Sequence, residues 1–229
     1  MASEQRWIPL ESNPKVLNKY VHNLGMDAGW NFVDVFGLDP ELLAMVPRPA
    51  AALVLLFPDD KETVNQLIGE YQSDYPDSLY YTKQTIGNAC GTVAIVHALA
   101  NNENVIPFDA AKHFKTFLEK TKPLNPEERA KHLEQDNLMG AAHGDCAQEG
   151  DTQAPSQDEH VKSHFVALVH CNGTLYELDG RKEAPVVHGT TSADTFLEDA
   201  AEVVKKFMAR DPEDLSFNVM ALVQGGDDM

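Results

Sequence analysis

Asn172-Gly173 constrains this chain more than any other dipeptide in it. It separates two strand-like runs, His164 to Cys171 and Thr174 to Asp179. Asn-Gly between such runs is the strongest short-range signal of a two-residue hairpin, because both central positions of that turn need positive φ. A two-residue turn also fixes the register. Cys171 opposes Thr174, and continuing the ladder puts His164 opposite Arg181 and Val166 opposite Asp179. His164 and Asp179 then share a face as diagonal neighbours, within reach of one another's side chains. Asn172-Gly173-Thr174 is a nominal glycosylation sequon, but here it reads as the hairpin tip.

Other elements follow from caps, breakers and periodicity. Ser12-Asn13-Pro14 starts a helix that Gly25 stops. Asn31 to Phe36 alternates like a strand. Asp39-Pro40-Glu41 opens a short helix ending before Pro47. Ala51 to Phe57, an unbroken apolar run closed by Pro58, reads as a buried strand. Lys61 to Gln72 reads as helix and Leu79 to Lys83 as strand. Helices are expected from Asp109 to Lys120 and from Asn125 to Asp136, the second with Pro126 and Glu128 placed for a capping box. Thr191 or Ser192 caps a helix to Met208, and Ser216 to Gln224 closes as a strand. Residues 140–159 hold Gly140, Gly144, Gly150 and Pro155 without apolar periodicity, which predicts a long loop of the functional kind. No linker or repeat divides residues 1–229. The expectation is one mixed α/β (α+β) domain, with a central, largely antiparallel sheet flanked by helices.

Charge narrows the partners. Of 229 residues, 18 are Lys or Arg and 36 are Asp or Glu, a formal net charge of −18. That argues against a nucleic-acid backbone or an anionic membrane surface and favours solubility and a basic partner. No run approaches the ~20 apolar residues of a membrane span, and the first residues lack the apolar core of a signal peptide. Cys90, Cys146 and Cys171 are odd in number and widely spaced. They form no disulfide framework, so a reducing compartment is expected, cytoplasmic or nuclear.

The chemistry-bearing segment is Gln84-Thr85-Ile86-Gly87-Asn88-Ala89-Cys90-Gly91-Thr92, a loop feeding the apolar run from Val93 to Ala100. A cysteine in the first turn of a helix feels the helix's positive end, which favours the nucleophilic thiolate. Gly87 and Gly91 leave room for a substrate. The competing reading is that Cys90 is a small buried hydrophobe. Cys146 and Cys171 have weaker surroundings. As the base, His97 lies about 10 Å along the same helix, too far. His164 is better placed, with Asp179 to hold its tautomer. The backbone N–H of Cys90 and the amide of Gln84 are candidate oxyanion donors. A rival constellation, His143-x-x-Cys146 followed by His160-x-x-x-His164, has structural-zinc spacing. It excludes His164 as a base.

Gln84 to Gly91, the run His164-Phe165-Val166-Ala167-Leu168-Val169 and Leu175-Tyr176-Glu177-Leu178-Asp179-Gly180-Arg181 resemble the ubiquitin carboxyl-terminal hydrolases, a family of cysteine peptidases. So do Arg6 to Glu11, Asp39 to Leu43, Met45 to Pro49 and Phe207 to Pro212. The likeness spans nearly the whole chain and points to the short cytosolic members. It implies a papain-like fold with a knotted backbone, no cofactor and no metal. It implies Cys90 as nucleophile, His164 as general base and acid, Asp179 as the residue orienting it, and Gln84 in the oxyanion hole. The loop near 140–159 matches a crossover loop that straddles the site and filters leaving groups by size. The implied substrate is ubiquitin, with NEDD8 a second candidate, and the implied state a monomer. Ubiquitin's tail carries arginines before its glycines, and Glu11 and Asp34 are placed to meet them. The segments Pro9, Leu10, Glu11, Ser12, Asn13 and Pro14; Gln148, Glu149 and Gly150; and Asp214, Leu215, Ser216 and Phe217 are expected to touch the ubiquitin body. Residues 225–229 read as a short acidic tail. The alternative function is a ubiquitin-binding or ubiquitin-stabilising module.

Overall fold

The computed structural model describes residues 5–59, 66–157, 159 and 161–225. Helix α1 (Pro14–Leu24) starts where Asn13 accepts from the N–H of Lys15 and stops at Gly25, whose φ of 111° suits glycine. Strand β1 (Trp30–Asp34), the short helix α2 (Pro40–Leu43) and β2 (Ala50–Pro58) follow. Then come β3 (Glu70–Tyr71), α3 (Cys90–Ala100), α4 (His113–Thr121), α5 (Pro126–Glu134) and α6 (Asn137–Ala147). The chain ends with β4 (Ser163–Cys171), β5 (Thr174–Leu178), β6 (Val186–Thr190), α7 (Phe196–Met208) and β7 (Asn218–Gln224). Among the described residues no helix is long and apolar enough to cross a membrane.

The strands form one antiparallel sheet in the order β1-β7-β2-β4-β5-β6-β3. Its adjacent strands β7, β2 and β4 are apolar on both faces, which the period-two pleat divides between two cores. Ala52, Val54, Phe165, Ala167, Val169, Met220 and Leu222 face α1, α3 and α6. Leu53, Leu55, Phe57, Val166, Leu168, Ala221 and Val223 face α7. Helix α3 lies within the first core with all its residues buried. A helix apolar all round needs such a place, and this one delivers its first residue, Cys90, to the edge of the core.

The hairpin forms as its dipeptide requires. Asn172 and Gly173 take φ of 49° and 81°, and Cys171 pairs with Thr174 in a ladder running to Ala167 opposite Leu178. The capping box at Asn125 and Glu128 is present. Four local expectations fail. Residues 66–69 are irregular and 70–71 are strand, so the helix expected over 61–72 is absent there; 60–65 lie outside the described residues. Residues 79–83 are extended and join no ladder. Their backbone groups are taken by side chains instead: Asn101 bonds both Tyr80 N and Tyr80 O, His97 accepts from Thr82 N, and Arg129 donates to Tyr81 O. The loop expected over 140–159 begins as helix. Asp136 caps α6 through Leu138 and Met139 N–H, and Met139, His143, Cys146 and Ala147 form its buried stripe. The irregular residues are 148–157, 159, 161 and 162; 158 and 160 lie outside the described residues. Helix α7 begins at Phe196 rather than at Thr191 or Ser192.

Candidate active site

The site lies where four segments meet: the extended run ending at Gln84, the start of α3, the first residues of β4, and the turn after β5. Each is pinned separately. The extended run is held by the α3 and α5 side chains described above. The loop before α3 pairs with the N-terminal segment, Trp7 N–H donating to Gly87 O and Gly87 N–H to Gln5 O, both at 2.9 Å. β4 is held by β2, with Phe57 opposite His164 and its ring edge-on to the imidazole. The turn is tied by Tyr81 Oη, which donates to the carbonyls of Asp179 and Lys182.

These restraints bring Cys90, His164 and Asp179 together. His164 Nε2 donates to Asp179 Oδ1 at 2.7 Å, with the imidazole 1% and the aspartate 5% exposed. The same carboxylate oxygen accepts the N–H of Arg181 at 2.9 Å. The other ring nitrogen, Nδ1, is buried and has no full hydrogen bond. It is the nitrogen available to the thiol. Burial alone would lower the His164 pKa; the Asp179 carboxylate and the Cys90 thiol outweigh it and push it up to about 9. Burial alone would raise the Cys90 thiol; His164, then the N–H of Phe165 and the charge of Arg181, outweigh it and leave the thiol below its usual range. Asp179 also lies below its usual range, because His164, the Arg181 N–H and Lys182 outweigh its burial. All three shifts favour a thiolate–imidazolium pair beside an ionised aspartate.

Helix α3 adds to that field. No side chain caps its N-terminus, so its first N–H groups face the site. Gln84 Nε2 donates to Ile86 O at 3.1 Å, one of its two hydrogens, and Gln84 N–H donates to Gly180 O at 2.9 Å. Gly180 cannot carry a side chain: a Cβ would sit 2.9 Å from Gln84 N, Gln84 Cβ and Val93 Cγ1. The turn that orients the imidazole is thus packed directly on the candidate oxyanion donor. An acyl carbonyl attacked at Cys90 would find base, orienting carboxylate and amide donors in one place.

Cys90 opens into a cavity of about 220 Å³ walled by the N-terminal segment, including Pro9, Leu10 and Ser12, and by Thr152 to Pro155 of the irregular segment. That segment crosses the site as a strap. Asn88 Nδ2, on a residue with φ of 62°, donates to Gln157 O. Glu11 holds the strap more firmly: its carboxylate accepts Asp151 N–H, Thr152 N–H, the Thr152 hydroxyl and Asn13 Nδ2. Gly150 packs against that carboxylate, Glu149 pairs with Lys19, and Gln148 ends α6. Pro14 occupies the first turn of α1. Ser12, Asn218 and Asp34 form one hydrogen-bonded chain. Asp214 accepts the N–H of Ser216, Phe217 is packed against the second core, and Leu215 stands 84% exposed.

The zinc constellation does not assemble. Both ring nitrogens of His143 are used, on Thr92 Oγ1 and Ile8 O, and His164 is committed to Asp179; His160 lies outside the described residues. No group of three or more possible metal ligands occurs among the described residues. Sequence reasoning missed two residues at the site, Arg6 and Arg181, which line cavities beside Cys90. The signal for Arg6 lay in a pairing between distant segments, Arg6 with Gly87. Phe36 is an exposed apolar side chain of the surface, 73% exposed.

The family description "Ubiquitin carboxyl-terminal hydrolase, family 1" matches residues 7–209. A ubiquitin carboxyl-terminal hydrolase of Drosophila melanogaster is 49% identical over 94% of this chain and 96% of its own length. The human ubiquitin carboxyl-terminal hydrolase isozyme L1 is 42% identical over 93% of this chain and 96% of its own. Among solved structures, the Trichinella spiralis UCH37 catalytic domain bound to ubiquitin vinyl methyl ester superposes with a TM-score of 0.79 at 26% identity, covering 98% of each chain.

Proposed function

The chain belongs to ubiquitin carboxyl-terminal hydrolase family 1, and from that premise we infer how its own residues carry out a cysteine-type deubiquitination. The Cys90 thiolate attacks the carbonyl of ubiquitin's C-terminal glycine. The Gln84 amide and the Cys90 N–H hold the oxyanion. His164, already protonated, gives its proton to the leaving amine, alcohol or thiol. The neutral imidazole then takes a proton from the water that hydrolyses the thioester. Asp179 keeps the proton on Nε2, so that Nδ1 serves both steps. The observation that carries this reading is the buried 2.7 Å bond from His164 to Asp179, with the second ring nitrogen left for a thiol of depressed pKa.

The strap limits what can leave. A product must pass beneath the segment tethered at Glu11 and Asn88, so short or unfolded leaving groups are favoured. The ubiquitin body docks on Leu215, Phe217 and Phe36, with the network of Ser12, Asn218 and Asp34 beside the tail. Because the strap occupies Glu11, Asp34 is the better placed of the two acids to meet an arginine of that tail. We assign the protein to the cytoplasm or nucleus, as a monomer, with NEDD8 as a second substrate.

Ubiquitin and NEDD8 probes carrying an electrophile at the C-terminus test the reading. Both should label Cys90 and leave Cys146 and Cys171 unmodified. Cys90→Ala should bind ubiquitin without turning it over. Undiminished hydrolysis by that variant would falsify the nucleophile assignment, whereas a wild type that binds ubiquitin yet neither hydrolyses it nor takes the probe would favour the binding-module reading.

A further inference from the structure

The strap divides the approach to Cys90 into two cavities of about 220 Å³ each. The first, walled by Leu10, Leu56, Phe165 and the strap, is the larger in apolar lining and opens beside the N-terminal segment. The second contains Gln84, Gly87 and two guanidinium-bearing side chains, Arg6 and Arg181. Asn88, Val161 and Arg181 line both, so the cavities meet at the strap's crossing point. With ubiquitin's tail in the first cavity and the oxyanion at Gln84, the group that leaves the glycine carbon as Cys90 becomes acylated enters the second.

That second cavity is basic in a chain with a net charge of −18, and no carboxylate lines it among the described residues. The Arg6 backbone is pinned on both sides of Gly87 by the Trp7 and Gln5 hydrogen bonds. Its stem lies so close over Gly87 that a Cβ there would be 2.7 Å from Arg6 Cγ. The Arg6 guanidinium therefore stands at the cavity wall, and it has no carboxylate partner among the described residues. Across from it, Arg181 gives Nη1 to Asp59 at 2.7 Å. That pair is internally neutral, yet the remaining guanidinium N–H groups are still donors. Among the described residues the charge without an ionic partner is that of Arg6, and the bidentate geometry of guanidinium suits a carboxylate.

We propose that this cavity is a leaving-group subsite that selects short acidic peptides, with a carboxylate on the first or second residue after the scissile bond. The assignment rests on the hydrolase reading above. It predicts a charge preference on the side of the substrate that ubiquitin does not supply.

The test uses ubiquitin extended by a dipeptide whose first residue is Glu, Gln or Lys, with kcat/KM measured at low and high salt. The wild type should prefer Glu over Lys by roughly fivefold at low salt, the upper range for one partly exposed ion pair, and the preference should shrink at high salt. Arg6→Lys should keep the order, Arg6→Gln should flatten it, and Arg6→Glu should reverse it. General damage to the enzyme would lower all three substrates together and leave their ratios intact. Equal kcat/KM for Glu and Lys in the wild type, or an unchanged ratio in Arg6→Glu, overturns the subsite while leaving the hydrolase standing. Failure to cleave any of the three removes the hydrolase reading and the subsite with it.

Discussion

Asp179→Asn isolates the charge of the aspartate from its shape. The side chains are isosteric, and an Asn oxygen can still accept the His164 Nε2 proton, so the buried contact at 2.7 Å is retained in outline. What is lost is the anion. The rise of His164 from 6.5 to about 9 amounts to about 3 kcal/mol in favour of the imidazolium, at roughly 1.4 kcal/mol per unit. Burial opposes that rise, and Asp179 and then Cys90 favour it. An opposite charge at hydrogen-bond range shifts a pKa by about 1–3 units, and losing about 1.5 of them predicts a roughly thirtyfold fall in the thiolate–imidazolium population at neutral pH. The pH profile of Cys90 alkylation by iodoacetamide reads that population, and peptide mapping separates Cys90 from half-buried Cys171. In the wild type, reactivity should be established below the ordinary thiol range, with kcat/KM lost on an alkaline limb near pH 9 as the imidazolium deprotonates. These limbs belong to the coupled pair. The variant should shift thiol reactivity to higher pH and lose at least thirtyfold in kcat/KM at pH 7. Stability moves with sign. Asp179, depressed in the fold, stabilises above its unfolded pKa near ~3.9 and loses that contribution as pH falls; His164, raised, stabilises below ~6.5 and loses it as pH rises through about 9. An alkylation profile unchanged in a folded Asp179→Asn protein would refute the ion-pair argument.

Gly180→Ala forces a Cβ to within 2.9 Å of Gln84 N and Val93 Cγ1. Overpacking of that kind costs about 1–3 kcal/mol, so thermal unfolding should drop by several degrees and kcat should fall more than KM rises. Glu177→Leu strips the buried anion from Lys182 and His188, whose side chains are 14% and 1% exposed. Uncompensated buried charge costs about 3–5 kcal/mol, lowering Tm by roughly 10 °C for a chain of this size; an unchanged Tm would show the cluster contributes nothing. Glu11→Ala removes the acceptor of three strap donors. Hydrogen exchange over 148–157 should accelerate, and cleavage of ubiquitin fused to a folded leaving group should rise relative to a short one.

The hairpin and the contact from His164 to Asp179 were legible because a two-residue turn leaves no freedom in register, and a period-two ladder converts register into shared faces. Helix α6 was not legible. Its buried stripe mixes His143 and Cys146 with Met139 and Ala147, and Gly140 and Gly144 lie within the helix rather than in a turn. The extended run at Leu79 to Lys83 has a strand's local character, but its hydrogen-bond partners are side chains of Asn101, His97 and Arg129, which no local pattern announces. β6 is five residues long and turns His188 toward Glu177, so its inward face is partly ionic. These three share a cause: a polar side chain does work that the reading reserves for apolar groups or backbone.

That cause bears on the net charge of −18. A uniform acidic coat would serve solubility alone, but several of these carboxylates are committed. Glu11 holds the strap, Asp59 restrains Arg181, Asp136 caps α6 and bonds His113, and Glu177 organises a buried cluster. Cations, by contrast, are scarce, and two of them line one cavity at the strap's crossing point. The network of Ser12, Asn218 and Asp34 borders the first cavity through Ser12, Arg6 lines only the second, and Arg181 stands between them, lining both. A basic tail entering from the acidic side and an acidic product leaving by the basic side would each meet charge of the opposite sign. This polarity requires the positions of a few charges across the strap, and the net charge says nothing about it.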